Sequence, residues 1–166
     1  EYNANGKFED RPTELVKFRK FDVPKFIKKE DDNYLVITTN YFKLEYQKGK
    51  PFYGTKMNPS ANFKISLNNT DKVWFFGAAE ARNFKGTSSS LDDSSASFSK
   101  GLYSTDGFVS LDDSKSLIFN KDGSLGRRSD ERIDTYVFMY RKDFGYCLRD
   151  YFKLTLKPNL LPRYAL

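Results

Sequence analysis

The chain is 166 residues long with an apolar fraction of 39%, a size at which one domain buries about two-thirds of its unfolded surface around a single core. Its 28 basic residues outnumber 22 acidic ones for a net charge of +6, but the lysines are spread along the chain, which reads as a solvated surface ahead of a nucleic-acid footprint. With no histidine and one cysteine, Cys147, the sequence excludes the usual zinc ligand sets, an internal disulfide and a histidine-activated serine, and leaves Cys147 as a buried structural thiol.

The opening residues 1–10 are acidic and polar and do not form a signal peptide, although a leader lost ahead of Glu1 stays open. No apolar run approaches the ~20 residues of a membrane-spanning helix, and a cytoplasmic location is expected over a secreted one. Much of the apolar bulk is aromatic, with 16 Phe, 11 Tyr and one Trp, a composition that favours strands. Apolar and polar residues alternate over 15–21, 34–38, 41–46 and 63–67, which predicts half-buried strands. Turn formers at 31–33, 47–51 and 68–71 separate them, several as hairpins. The sequon at Asn68-Asn69-Thr70 reads as a chance occurrence in one of these turns. Residues 73–76 and 133–140 extend the series. The latter is apolar at Ile133, Tyr136, Val137, Phe138, Met139 and Tyr140, the pattern of a central strand covered on both faces.

Residues 78–100 differ, because Gly86, Thr87 and serine-rich stretches at 88–90 and 94–99 leave little to bury. A long loop is expected there, serving a site or interface or simply mobile. Asn120-Lys121-Asp122-Gly123 reads as a tight hairpin turn. Phe144, Cys147, Leu148, Tyr151 and Phe152 fall at spacings of three and four, predicting one helix with an apolar stripe, capped by Asp143 and packed on a neighbour. The closing apolar run 160–166 has no polar ending, which suggests truncation at a domain boundary, with a buried terminal strand as the alternative.

Two echoes carry paired carboxylates, Leu91-Asp92-Asp93-Ser94 and Leu111-Asp112-Asp113-Ser114. Acid–base hydrolysis or calcium would use such groups, but adjacent Asp residues on a strand point to opposite faces, and Asx turns are the better reading. The glycines form no phosphate cradle, since no Gly-rich turn runs into Lys-Ser or Lys-Thr and a helix. Taken alone the chain has no convincing active site, and no cofactor or metal is expected.

Three stretches together resemble glycoside hydrolase family 31 where its amino-terminal sandwich meets its catalytic domain. Trp74, then Asn83-Phe84-Lys85-Gly86-Thr87 and Leu91-Asp92, is similar to the family pattern Asn-Leu-Gly-Gly-Thr followed by Leu-Asp. Gly101-Leu102-Tyr103-Ser104-Thr105-Asp106-Gly107-Phe108 with Asp112-Asp113-Ser114 resembles Gly-Leu-Leu-Ser-Arg-Asp-Gly-Trp and then Asp-Asp-Ser. Asp150-Tyr151-Phe152-Lys153-Leu154-Thr155 followed by Leu161-Pro162-Arg163-Tyr164-Ala165-Leu166 is similar to the segment leading into the first barrel strand. The likeness covers 74–166, with departures: Lys85 and Leu156 stand where the pattern has glycine, Thr105 where it has Arg, and Phe108 where it has Trp.

The resemblance implies an all-β fold, a two-sheet antiparallel β-sandwich of the galactose mutarotase-like supersandwich type with one short C-terminal helix. Residues 1–142 would form the sandwich, and 143–166 the helix and linker leading into a missing catalytic (β/α)₈ barrel. The parent would be a retaining α-glycosidase acting on an α-linked glycoside, with its nucleophile and acid on the barrel, so this chain alone is expected to be inactive. The barrel of the same polypeptide is the expected partner, with no nucleic acid and no membrane. By position, the loop from Ser104 to Phe108 would reach the rim of the sugar pocket, Asp106 accepting hydrogen bonds from sugar hydroxyls and Phe108 offering an apolar wall. The alternative is that Asp106-Gly107 is a turn before a strand over 108–111. Two other functions compete: a stand-alone carbohydrate-binding module using its aromatics, and a basic binder of single-stranded nucleic acid.

Overall fold

A computed structural model describes residues 1–53, 61–78, 82–86, 98–128 and 131–158. Strands β1 (Ile27–Glu30), β2 (Tyr34–Thr38), β3 (Phe42–Gln47), β4 (Phe63–Leu67) and β5 (Val73–Phe75) form one antiparallel sheet in sequence order. Strands β6 (Phe108–Asp112) and β9 (Thr135–Met139) pair antiparallel, and β7 (Ile118–Phe119) pairs with β8 (Leu125–Gly126). The one helix among the described residues, α1 (Phe144–Thr155), follows β9. The fold is all-β and antiparallel with a helix near its C-terminal end, as expected.

Period two explains how the layers meet. Ile65 of β4, Trp74 of β5 and Phe108 of β6 form a buried cluster, joined by Phe42, Leu44, Phe63, Val137 and Met139, so the five-stranded sheet packs across one core onto the β6–β9 pair. The next residues along those two strands face the other way: Val109 and Phe138 join Tyr140, Cys147 and Phe144 under α1. Strand β9 is therefore covered on both faces, as its unbroken apolar run implies, but among the described residues β6 is its one neighbour within the sheet.

The expected strand over 15–21 is an extended strap instead. Its alternation is real, with Val16 fully buried and Phe18 half exposed. However, the N–H groups of Lys17 and Phe18 donate to the carbonyl of Leu154 at the end of α1 (2.9 and 3.1 Å) rather than to a strand. Strand β1 shows no alternation because all four of its residues are exposed; it is an edge strand, held among the described residues by β2 alone. Asp143 occupies the N-cap position of α1, but its side chain makes no cap hydrogen bond; its φ of −82° and ψ of 60° depart from the extended backbone a capping side chain needs. The Asn120–Gly123 turn does close the β7–β8 hairpin, with Gly123 at φ 83°. The serine triplet at 88–90, the echo at 91–94 and the closing run 160–166 lie outside the described residues.

Four buried charges tie the strap to the rest. Arg19 reaches Asp113 at 2.7 Å and Asp134 at 2.9 Å, while Arg128 Nη2 reaches both carboxylates at 3.0 Å. Thr13 Oγ1 donates to Asp113 at 2.9 Å from the strap's other end. Burial pushes the Asp113 carboxyl up from its ordinary value, with Ser116, Thr13 and Arg128 pulling the other way. Removing one member leaves its partners charged and desolvated, which costs about 3–5 kcal/mol for a buried pair. Arg128→Ala should accordingly lower unfolding free energy by about that amount in urea titration, whereas Arg127→Ala, at an exposed neighbour, should change it by less than about 0.5 kcal/mol.

Candidate functional site

The turn from Ser104 to Phe108 is built from the sequence features that suggested it. Gly107 lies at φ 75°, and a Cβ there would sit 2.8 Å from the Cα and carbonyl oxygen of Arg141, so only glycine fits. Its carbonyl accepts the N–H groups of Tyr140 and Arg141, both at 2.9 Å, which ties the turn to the end of β9. Ser104 is buried. Its hydroxyl donates to the Phe108 carbonyl at 2.6 Å, and its N–H donates to the phenol oxygen of Tyr140 at 2.6 Å. Phe108 is also buried and belongs to the core cluster with Ile65 and Trp74. Both side chains face the interior of the domain.

The Asp106 side chain is mostly covered, with 15% exposed. One carboxylate oxygen accepts the Arg82 N–H at 2.8 Å, and the other accepts the Arg82 guanidinium at 3.3 Å with the Lys72 ammonium 3.8 Å away. The Arg82 N–H above all, then its guanidinium and Lys72, hold the carboxyl below its ordinary value, against a contrary push from burial. The group is an ionised acceptor fixed in place by its neighbours.

A second element, Asn83, shapes this region. Asn83 clamps two chain segments: its amide nitrogen donates to the Gly101 carbonyl at 2.7 Å, and its oxygen accepts the N–H groups of Gly101 (2.9 Å) and Lys85 (2.8 Å). Gly86 and Ser99 pair below it through a 2.7 Å backbone hydrogen bond. A Cβ on Gly101 would lie 2.3 Å from the Lys85 carbonyl oxygen, so this neck also demands glycine. An Asn followed by Gly eighteen positions on is no recognisable signal, because the contact is long-range and made to backbone.

No reactive pair emerges among the described residues. Asp112 accepts the N–H and hydroxyl of Ser114, an Asx turn as expected, and Asp113 is committed to the ion network. Burial pushes the Cys147 thiol up to about 12, which keeps it protonated and inert. No group of three or more carboxylate or thiol ligands gathers among the described residues to hold a metal ion, and none of the described helices is long and apolar enough to cross a membrane. Clefts exist elsewhere, of about 640 Å³ and 450 Å³ along β9 and about 910 Å³ beside Arg132, and they do not reach Asp106. The last is lined by Lys115, Arg127, Arg128 and Arg132, but Arg128 is neutralised by two aspartates and Arg132 pairs with Glu1 at 2.9 Å.

No protein-family model matches the sequence, and no curated protein matches it.

Two outcomes test this geometry. Gly107→Ala should destabilise the domain by at least about 2 kcal/mol, since the substitution combines a left-handed φ with a backbone clash, whereas alanine at Gly123, where φ is also positive but nothing lies within 4 Å of a Cβ, should cost less. Asp106 has a lowered folded pKa, so its stabilisation is fully present above the ordinary value of 3.8 and is lost as pH falls through the folded value. Amide exchange at Arg82 should therefore lose protection on acidification below about 3.8 in the native protein, and Asp106→Asn should remove that acid step.

Proposed function

We propose that this chain is the non-catalytic amino-terminal β-domain of a family-31-type retaining α-glycosidase, packing on a (β/α)₈ barrel of the same polypeptide and lending a loop to the rim of its sugar pocket. One observation carries the reading. Among the described residues four non-glycines have positive φ, namely Asn69, Lys85, Arg141 and Leu156. Two of them, Lys85 at φ 68° and Leu156 at φ 80°, are the positions where the family pattern has glycine. An L side chain in that region costs roughly 1–2 kcal/mol, so a backbone that demands glycine at these positions supports the alignment of the pattern on this chain. Gly101 and Gly107, which do match the pattern, likewise sit where a Cβ would collide with backbone.

The rim role rests on Asp106. It is ionised, reaches solvent over a small part of its side chain and is fixed by Arg82, while Ser104 and Phe108 hold the turn from beneath. A positioned carboxylate suits acceptance of sugar hydroxyl protons, where hydrogen bonds to a charged group are worth about 1.5–3 kcal/mol. The reacting carboxyl pair is assigned to the barrel, and the parent acts on an α-linked glycoside without cofactor.

The reading makes a prediction inside this chain. Lys85→Gly and Leu156→Gly should each stabilise the domain, by about 1 kcal/mol, through relief of left-handed strain; melting temperatures that fall for both would remove the support. In the full-length enzyme, Asp106→Ala should raise KM for an α-glucoside by at least about tenfold, one charge-assisted hydrogen bond's worth, with unchanged kinetics reducing Asp106 to a turn residue. Retention of the isolated chain on α-glucan would favour a stand-alone binding module instead.

A further inference from the structure

The open edge of β9 carries an inference independent of any sugar chemistry. Along β9 and its flanks, the residues that bond toward β6 are even-numbered: Asp113 donates to the Asp134 carbonyl at 2.8 Å, and Tyr140 donates to the Gly107 carbonyl at 2.9 Å. In a regular strand the N–H and C=O of one residue point to the same edge and alternate along the chain. The register from Thr135 to Met139 is unbroken, so the backbone groups of Thr135, Val137 and Met139 point to the opposite edge. Among the described residues no strand pairs with them there.

That edge is not closed by the strap. Two clefts, of about 640 Å³ and 450 Å³, run along it, both lined by Pro24, Val137, Phe138, Arg149 and Asp150. Pro24, just beyond the strap, lines both clefts and has no N–H to give a ladder, and the half-exposed ring of Phe21 lines the smaller one. The clefts leave room for an extended chain, and among the described residues the outward backbone groups of Val137 and Met139, which line them, have no hydrogen-bond partner. Buried strands do not normally leave such groups unpaired.

One residue already sits in the ladder that would fill the gap. Tyr2 pairs antiparallel with Ile133, donating to its carbonyl at 2.7 Å and accepting its N–H at 2.9 Å. Its ring is held 5.3 Å from that of Phe52, which fixes the residue in place. Ile133 is odd-numbered and belongs to the open edge. In this register a strand continuing the Tyr2 line past Thr135, Val137 and Met139 runs backward through Glu1, so its residues precede Glu1 in the polypeptide.

We infer that the open edge of β9 receives an extended strand of the same polypeptide, lying ahead of Glu1, antiparallel to β9 and in the register that Tyr2 and Ile133 begin. Residues of that strand opposite Val137 and Met139 share their face and meet the core that holds Phe42. They are therefore apolar, and they alternate with residues on the face of Phe138. The strand turns the β6–β9 pair into a three-stranded sheet and buries the backbone groups that now line the clefts.

The test places a short extension of alternating valine and threonine ahead of Glu1 and follows amide hydrogen exchange at Thr135, Val137 and Met139. Exchange at all three is expected to slow by roughly fivefold to tenfold, the equivalent of one net hydrogen bond each, with Tyr136 and Phe138 changing less. The same extension carrying proline at alternate positions, which cannot donate, is expected to give no slowing. Equal exchange in the extended and native chains would overturn the inference. So would slow exchange in the native chain that fades on dilution, because a second copy would then be covering the edge.

Discussion

Two aspartates and two arginines, taken out of water together, hold this domain's parts in register. Asp113 follows β6, Asp134 precedes β9, Arg128 comes from the segment after β8 and Arg19 from the strap. Isolated charges at such burial would be prohibitive, so each element can occupy its place only if the other three arrive. The strap, so positioned, carries Lys17 and Phe18 to the last turn of α1, where their N–H groups meet the Leu154 carbonyl. Leu154 is itself buried. In this way a charge cluster at one end of β9 governs how the helix lies over its far face.

Much of this was legible in the sequence where burial has a period. The ranges of β2 and β4 agree residue for residue with their alternation, and the stripe of Phe144, Cys147, Leu148, Tyr151 and Phe152 gave the helix. Alternation reports which faces are buried, however, and not which backbone groups are paired. Residues 15–21 alternate because one side is covered, yet their N–H groups go to a helix end and their charges to a cluster. Strand β1 fails in the opposite sense, being paired without being covered. The ion network was invisible because Arg19 and Asp113 are 94 positions apart and no local pattern links them.

The candidate rim was legible only in part. The pairing of Asp106 with Gly107 marks a turn in any sequence, and the turn is there with its positive φ. What the sequence could not give is direction: Ser104 and Phe108 flank the same turn as Asp106, but their side chains go inward, to the Phe108 carbonyl and to the Trp74 cluster. The same limit applies to Lys85 and Leu156, whose unusual backbone is apparent only from dihedral angles, not from residue type.

The neck made by Asn83 and Gly101 has a consequence for how such a scaffold diversifies. The two chain segments are joined there by the two Asn83–Gly101 hydrogen bonds, with the Gly86–Ser99 contact as a third. For any flexible loop closed at such a neck, each doubling of length costs only about 0.6 kcal/mol, a logarithmic penalty. A chain joined at such a neck can change length on one side of it with little effect on the β-sheets on the other.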